Sequence, residues 1–146
     1  MLTTSSTTDV ASHLRLVVAR TARRLRQEGG TDLSPSLTSA LASIERHGPL
    51  TPSELAAHER VQRPTATRVL ARLEEAGLVA RAADPGDRRS SLITATAEGR
   101  ALLARQRSRK DLFLARRLAE LTPGEVATLD RAAAILERVL GGEGRR

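Results

Sequence analysis

The stretch from Thr51 to Gly99 constrains the fold of this 146-residue chain more than any other. It opens with Thr51-Pro52-Ser53-Glu54, a capping box. The threonine hydroxyl accepts from the backbone N–H of Glu54, and the Glu54 carboxylate accepts from the N–H of Thr51. Leu55, Ala56 and Val61 follow. Gln62 then precedes Arg63-Pro64, a second start signal, because proline in a first helical turn lacks only an N–H that has no intrahelical partner. Ala66, Val69, Leu70 and Leu73 recur at i, i+3, i+4 and i+7 and form one apolar stripe, while Thr65, Arg68 and Arg72 fall on another side. Gly77 stops this helix as a left-handed cap. Leu78–Arg81 and Ser91–Thr94 read as short strands joined by a polar loop, Ala83 to Ser90, with Pro85-Gly86 as its turn signal. Two helices followed by a charged hairpin are the layout of a winged helix-turn-helix. That layout lays its second helix in a DNA major groove and sends the hairpin toward a neighbouring groove.

The flanking segments are helical. Val10, Leu14, Val17, Val18 and Leu25 give a helix over Asp9–Glu28, stopped by Gly29-Gly30, with residues 1–7 frayed. Ser34-Pro35 caps the next helix, which carries Leu37, Leu41 and Ile44 and ends at Gly48. Thr96 caps a long helix to about Glu120, with Leu102, Leu103, Phe113, Leu114 and Leu118 inward. Thr122-Pro123-Gly124-Glu125 is a second capping box. It starts a last helix striped by Val126, Leu129, Ala133, Leu136 and Leu140, after which Gly141–Arg146 is a flexible basic tail. The first and the last two helices have apolar stripes outside the helix-turn-helix, and the economical cover is the same helices of a second copy. The expected fold is therefore mainly α with a small β-hairpin wing, in a single domain over 1–146. Residues 34–98 form the winged helix-turn-helix lobe, and residues 9–28 and 97–140 the helical dimerisation region.

Composition narrows the function. The chain has no cysteine, which excludes disulfides, thiolate metal sites and cysteine redox sensing. Phe113 is its only aromatic residue, so there is no platform for stacking unpaired bases, and single-stranded nucleic acid is a poor partner. The net charge of +7 is unevenly placed: residues 60–110 hold 12 basic and 5 acidic groups, and the remainder is balanced at 12 and 12. Local positive potential of this kind attracts polyanions. No run of about 18 apolar residues suggests a membrane span, and Met1–Thr8 lacks the apolar core of a signal peptide. A cytoplasmic, nucleoid-associated protein is expected.

These residues also carry a resemblance. The run Val61-Gln62-Arg63-Pro64-Thr65-Ala66-Thr67-Arg68-Val69-Leu70-Ala71-Arg72-Leu73-Glu74 resembles the recognition helix of the MarR family of transcriptional regulators. So do Gly77-Leu78-Val79, Arg81, the tip Asp84-Pro85-Gly86-Asp87-Arg88-Arg89, and Ile93-Thr94-Ala95-Thr96-Ala97-Glu98-Gly99. The family's usual leucine before the threonine is Ala95 here, which trims a contact at the wing base. The resemblance implies a dimeric regulator on pseudo-palindromic duplex DNA. Members of the family often repress a neighbouring gene, and many release DNA on binding a small, often phenolic, anion between the dimerisation helices and the DNA-binding lobe. This chain lacks the aromatic side chains that often line such pockets.

Arg63 and Arg68 are candidates for base or phosphate contact from the recognition helix, since arginine can bond guanine O6 and N7 bidentately. Arg72, Thr65 and Thr67 are further candidates, the threonines having helix capping as the plain alternative. At the wing, Arg88 and Arg89 are expected at or beside the minor groove, where A·T tracts concentrate negative potential. Asp84 and Asp87 would repel phosphate on their own, and are expected to orient an arginine. His13, His47 and His58 lack metal-site spacing, so no metal or cofactor is expected. No phosphate-binding glycine loop, nucleophile elbow or paired-carboxylate set suggests an enzyme. The expected function is a sequence-specific duplex-DNA-binding regulator, a homodimeric repressor released by a small-molecule effector. The alternatives are a non-specific architectural DNA binder and a winged helix used for protein contacts.

Overall fold

The computed structural model describes residues 5–30 and 33–141. In chain order the elements are α1 (Thr7–Glu28), α2 (Pro35–His47), α3 (Pro52–Glu59), α4 (Arg63–Glu75), β1 (Val79–Asp84), β2 (Asp87–Ala95), α5 (Ala97–Leu118) and α6 (Pro123–Leu140). Local chemistry sets most of the boundaries. Ser6, Thr51 and Thr122 each form a capping box with the acid three residues on, and Ser34 Oγ accepts from Leu37 N. The Ser6–Asp9 box starts α1 at Thr7, two residues before the expected start and inside the segment expected to fray. The expected tail beyond Gly141 lies outside the described residues. Gly77 has φ +73°, the left-handed conformation that lets the chain leave α4 and enter β1.

The chain divides into two compact units, Met1–Lys110 and Asp111–Arg146. In the first, Leu41, Ile44, Leu55, Leu70, Leu73 and Ile93 are fully buried, joined by Leu50, Leu102 and Leu103. Fully burying each such side chain contributes about 1.5–3 kcal/mol. The core thus lies where α2, α3 and α4 meet the wing base and the start of α5. In the second unit, the Arg117 guanidinium lies 5.3 Å from the Phe113 ring centroid, a cation–π contact.

The hairpin differs from the expected one. The strands extend through the polar residues, so the connection is the Pro85-Gly86 turn rather than a loop over Ala83–Ser90. Pairing runs antiparallel from Val79↔Ala95 to Ala83↔Ser91 and then jumps to Asp84↔Asp87. Arg88, Arg89 and Ser90 therefore bulge from the ladder with no partner opposite, a device that re-aims side chains. Leu50 adds a short third edge, with Leu50 N donating to Ile93 O (3.0 Å) and Ile93 N to Leu50 O (2.7 Å).

The wing base locks to α5 through Thr96, whose Oγ1 donates to Gly77 O (2.7 Å) and accepts from Gly99 N (3.1 Å). Gly99 is required here because a Cβ would overlap the Leu78 carbonyl oxygen. Ala95, where the family pattern has leucine, is buried in the core all the same.

Among the described residues, none in α1 or α6 is buried. Val10, Leu14, Val17 and Val18 of α1 are each 42–50% exposed, as are Leu129 and Ile135 of α6 at 49% and 47%. Of the stripes read from the sequence, Val10, Leu14, Val17, Val18, Val126, Leu129 and Leu140 are exposed, whereas Leu25 and Leu136 are half-buried.

Candidate nucleic-acid interface

Helix α4 presents its basic residues outward because its apolar stripe faces the core: Ala66, Leu70 and Leu73 are buried. Arg68 and Arg72 are exposed and make no hydrogen bond or ion pair with the described residues. Arg63 is partly engaged, its NH1 donating to Ser53 Oγ of α3 at 2.6 Å. The two threonines differ from each other. Thr67 Oγ1 donates to Arg63 O four residues back (3.0 Å), the back-bonding alternative open to a mid-helix threonine. Thr65 is half-buried and lines a cavity behind the helix. Gln62 makes no side-chain cap, so the first N–H groups of α4 receive no cap from that side chain.

At the wing, Arg88 and Arg89 are exposed and their guanidinium groups have no partner among the described residues. The expected pairing of these arginines with Asp84 or Asp87 does not occur. Asp84 Oδ1 accepts from Gly86 N, and Asp87 Oδ1 from Arg89 N, both at 2.9 Å. A short carboxylate two residues before a free N–H closes a turn on its own backbone. At this tip the Pro85-Gly86 turn and the bulge leave those N–H groups without ladder partners. The aspartates therefore shape the backbone that carries the arginines and leave the guanidinium groups unheld.

Arg81 is a residue whose role sequence reasoning missed. Its Nε and NH2 donate to Glu74 Oε2 of α4 (3.4 and 3.3 Å) and its NH1 to Ser91 Oγ of β2 (2.8 Å). One guanidinium thus links the helix to both strands of the wing. The partners lie on either side of the Gly77 turn, so no short-range spacing signals the pair.

The basic excess of residues 60–110 is not all available outside. Arg81 is engaged as above, and Arg100 NH1 donates to Ala95 O (2.7 Å). Arg109 NH1 donates to Gly29 O (3.1 Å), and Arg107 forms a two-pronged bond to Glu45 (2.9 and 3.3 Å). The Arg107 hydrogen bond holds the Glu45 carboxyl below its ordinary value; burial opposes this, and the charges of Arg107, Arg100 and Arg46 assist. The outward cations that remain on the reading elements are Arg68 and Arg72 on α4 and Arg88 and Arg89 on the wing.

Two further features lie nearby. His47 and His58 stack with centroids 4.2 Å apart and planes 10° from parallel. No group of three or more potential metal ligands exists among the described residues. A cavity of about 840 Å³ opens between the end of α1, the start of α2 and α5, with Arg23, Arg26 and Lys110 on its wall. Gln106, 3% exposed, also lines it, and its Oε1 has no hydrogen-bond partner among the described residues.

A model of the MarR family matches residues 33–91, which span α2 through most of the hairpin. A helix-turn-helix-type transcriptional regulator of Mycobacterium bovis is 38% identical over 128 residues, covering 87% of this chain and 90% of the relative. The chain belongs to the MarR family of transcriptional regulators. A transcriptional regulator of Pseudomonas aeruginosa shares the fold with a TM-score of 0.82 and 34% identity, over 92% of this chain and 97% of that one. The transcriptional repressor NicR of Pseudomonas putida is 33% identical over 103 residues, 68% of this chain and 62% of NicR. The protein is thus a DNA-binding winged-helix transcriptional regulator, not an enzyme. Among its described residues no helix is long and apolar enough to cross a membrane.

Proposed function

We propose that this MarR-family protein is a homodimeric repressor that reads a pseudo-palindromic operator in duplex DNA of the cytoplasmic nucleoid. The observation that carries the reading is the set of four outward arginines with no partner among the described residues, two on α4 and two on the wing bulge. Arg68 and Arg72, with Arg63 at the helix start, enter the major groove for base and phosphate contact. Thr65 and Thr67 lie in the same helix but are turned to the cavity and to the helix backbone, and they serve as supports. Arg88 and Arg89 reach the minor groove, carried by the backbone that Asp84 and Asp87 shape. Residues 34–98 are the reading lobe, and 9–28 with 97–140 the dimerisation region. The exposed apolar side chains of α1 and α6 support this division, and two-fold symmetry then repeats the lobe along the DNA.

The naming of NicR as a repressor supports repression here. The 840 Å³ cavity supports an effector. Three cations on its wall suit a small organic anion, and the unpartnered Gln106 Oε1 suits a hydroxyl donor on the same molecule. Selection from a random duplex library tests the reading. The expected result is an inverted repeat with half-sites about one helical turn apart, roughly 10 base pairs. Enrichment of no sequence would return the non-specific architectural alternative.

A further inference from the structure

Behind the recognition helix lies a smaller cavity of about 160 Å³, walled by α2, α3 and α4. Its apolar wall includes Leu55, Val61 and Val69. Its one charged lining residue among the described residues is Glu59, the last residue of α3. Glu59 Oε2 accepts from Ser39 Oγ at 3.0 Å, whereas Oε1 is buried and has no partner among the described residues. Thr65 adds a hydroxyl from the first turns of α4. A buried acceptor left without a donor is unfavourable, and more so when it is charged. The volume matches an engineered apolar cavity of about 150 Å³ that takes benzene.

We propose that this cavity binds a small organic ammonium ion. The ammonium donates to Glu59 Oε1, with the Ser39 and Thr65 hydroxyls as further acceptors, and its apolar body lies against Leu55, Val61 and Val69. The chemistry selects the class. An anion meets the Glu59 carboxylate at close range, and a pure hydrocarbon leaves Oε1 unpaired. A neutral alcohol supplies a donor without the charge, and charge-assisted hydrogen bonds are roughly twice as strong as neutral ones. The site differs in place and in charge preference from the larger cavity beside Gln106 and Lys110.

Benzylammonium serves as the probe, with benzyl alcohol and benzoate as its neutral and anionic counterparts. Each is titrated into the full-length protein without DNA, and backbone amide shifts are followed by two-dimensional NMR. The expected result is saturable movement of the Ser39, Glu59, Thr65 and Val69 signals with benzylammonium and none with benzoate. Glu59→Gln keeps the shape of the side chain, and its affinity for benzylammonium falls about tenfold or more, the equivalent of one lost charge-assisted bond. Val69→Phe fills the cavity from the opposite wall, leaves Glu59 in place, and abolishes binding even if Glu59→Gln folds poorly. No saturable shift, shifts mapping elsewhere, or equal affinity in Glu59→Gln and the parent would overturn the proposal and leave Oε1 to a bound water. Because the readout contains no DNA, failure here leaves the operator-binding reading standing, and failure of that reading leaves this site standing.

Discussion

Arg88 and Arg89 sit on a three-residue bulge whose backbone is held by Asp87 Oδ1 on the Arg89 N–H. The arginines are positioned by main chain alone and keep all their donors for an external acceptor. Arg89→Ala is therefore expected to weaken duplex binding by more than about tenfold at moderate salt, a loss above 1.4 kcal/mol. Thermal stability should stay within about 0.5 kcal/mol of the parent, as for an exposed side chain. Anisotropy titration and a melting curve read the two quantities, and unchanged affinity would remove the wing from the interface. Gly99→Ala is the opposite kind of change. Its Cβ would overlap the Leu78 carbonyl, so a loss of about 1–3 kcal/mol is expected, seen as a lowered Tm. The Glu45–Arg107 pair gives a pH prediction. The folded-state pKa of Glu45 lies below its ordinary value of 4.5, so its stabilising effect is present above that value and lost as pH falls through the lower, folded-state one. Arg107→Gln should remove that part of the acid limb, so urea titrations below about pH 4.5 lose less stability in the variant than in the parent.

At the scale of elements, the recognition helix and the wing form one linked unit. Arg81 ties Glu74 to Ser91, and Thr96 ties the Gly77 turn to the first turn of α5. Thr96→Val removes one donor and one acceptor and leaves Gly77 O short of a partner. A loss of about 1–3 kcal/mol is expected, measured by chemical denaturation. This scale also shows how much the residues disclose on their own. Helix starts were legible because a cap is written within four residues, as at Thr51, Ser34 and Thr122. The hairpin was legible in place but not in length. Ala82, Ala83, Asp87, Arg88 and Arg89 carry no alternation to mark a strand, because every one of them is exposed. The candidate arginines were legible as a group, since charge concentrates in one stretch of chain. Which of them are engaged by partners within the chain was not, because Arg81, Arg100, Arg107 and Arg109 meet partners set by tertiary packing. The bonds that Asp84 and Asp87 make to Gly86 N and Arg89 N, in place of a direct pairing with an arginine side chain, were not legible either, because a bulge leaves N–H groups that only the folded ladder reveals.

At the scale of the molecule, helices α1 and α6 carry apolar side chains that are exposed among the described residues. In the proposed homodimer, pairing with a second copy would bury them and set two reading lobes in fixed register, which a single lobe cannot do on an inverted repeat. Leu14→Glu with Leu129→Glu is expected to produce monomers by light scattering at micromolar concentration, with the lobe still folded by circular dichroism. Salt dependence belongs here too. Each phosphate neutralised adds about −0.9 to the slope of log affinity against log salt, so a dimer using several arginines per lobe should show a slope of several units. A near-zero slope would favour a winged helix used for protein contacts. The central claim is that two copies read one specific duplex site, and fluorescence anisotropy tests it directly on duplex from beside the protein's own gene, with excess random duplex present. The account predicts saturation at two chains per site and a preference of about 10³ or more over random duplex. Binding that the competitor erases, or saturation at one chain per site, would contradict it.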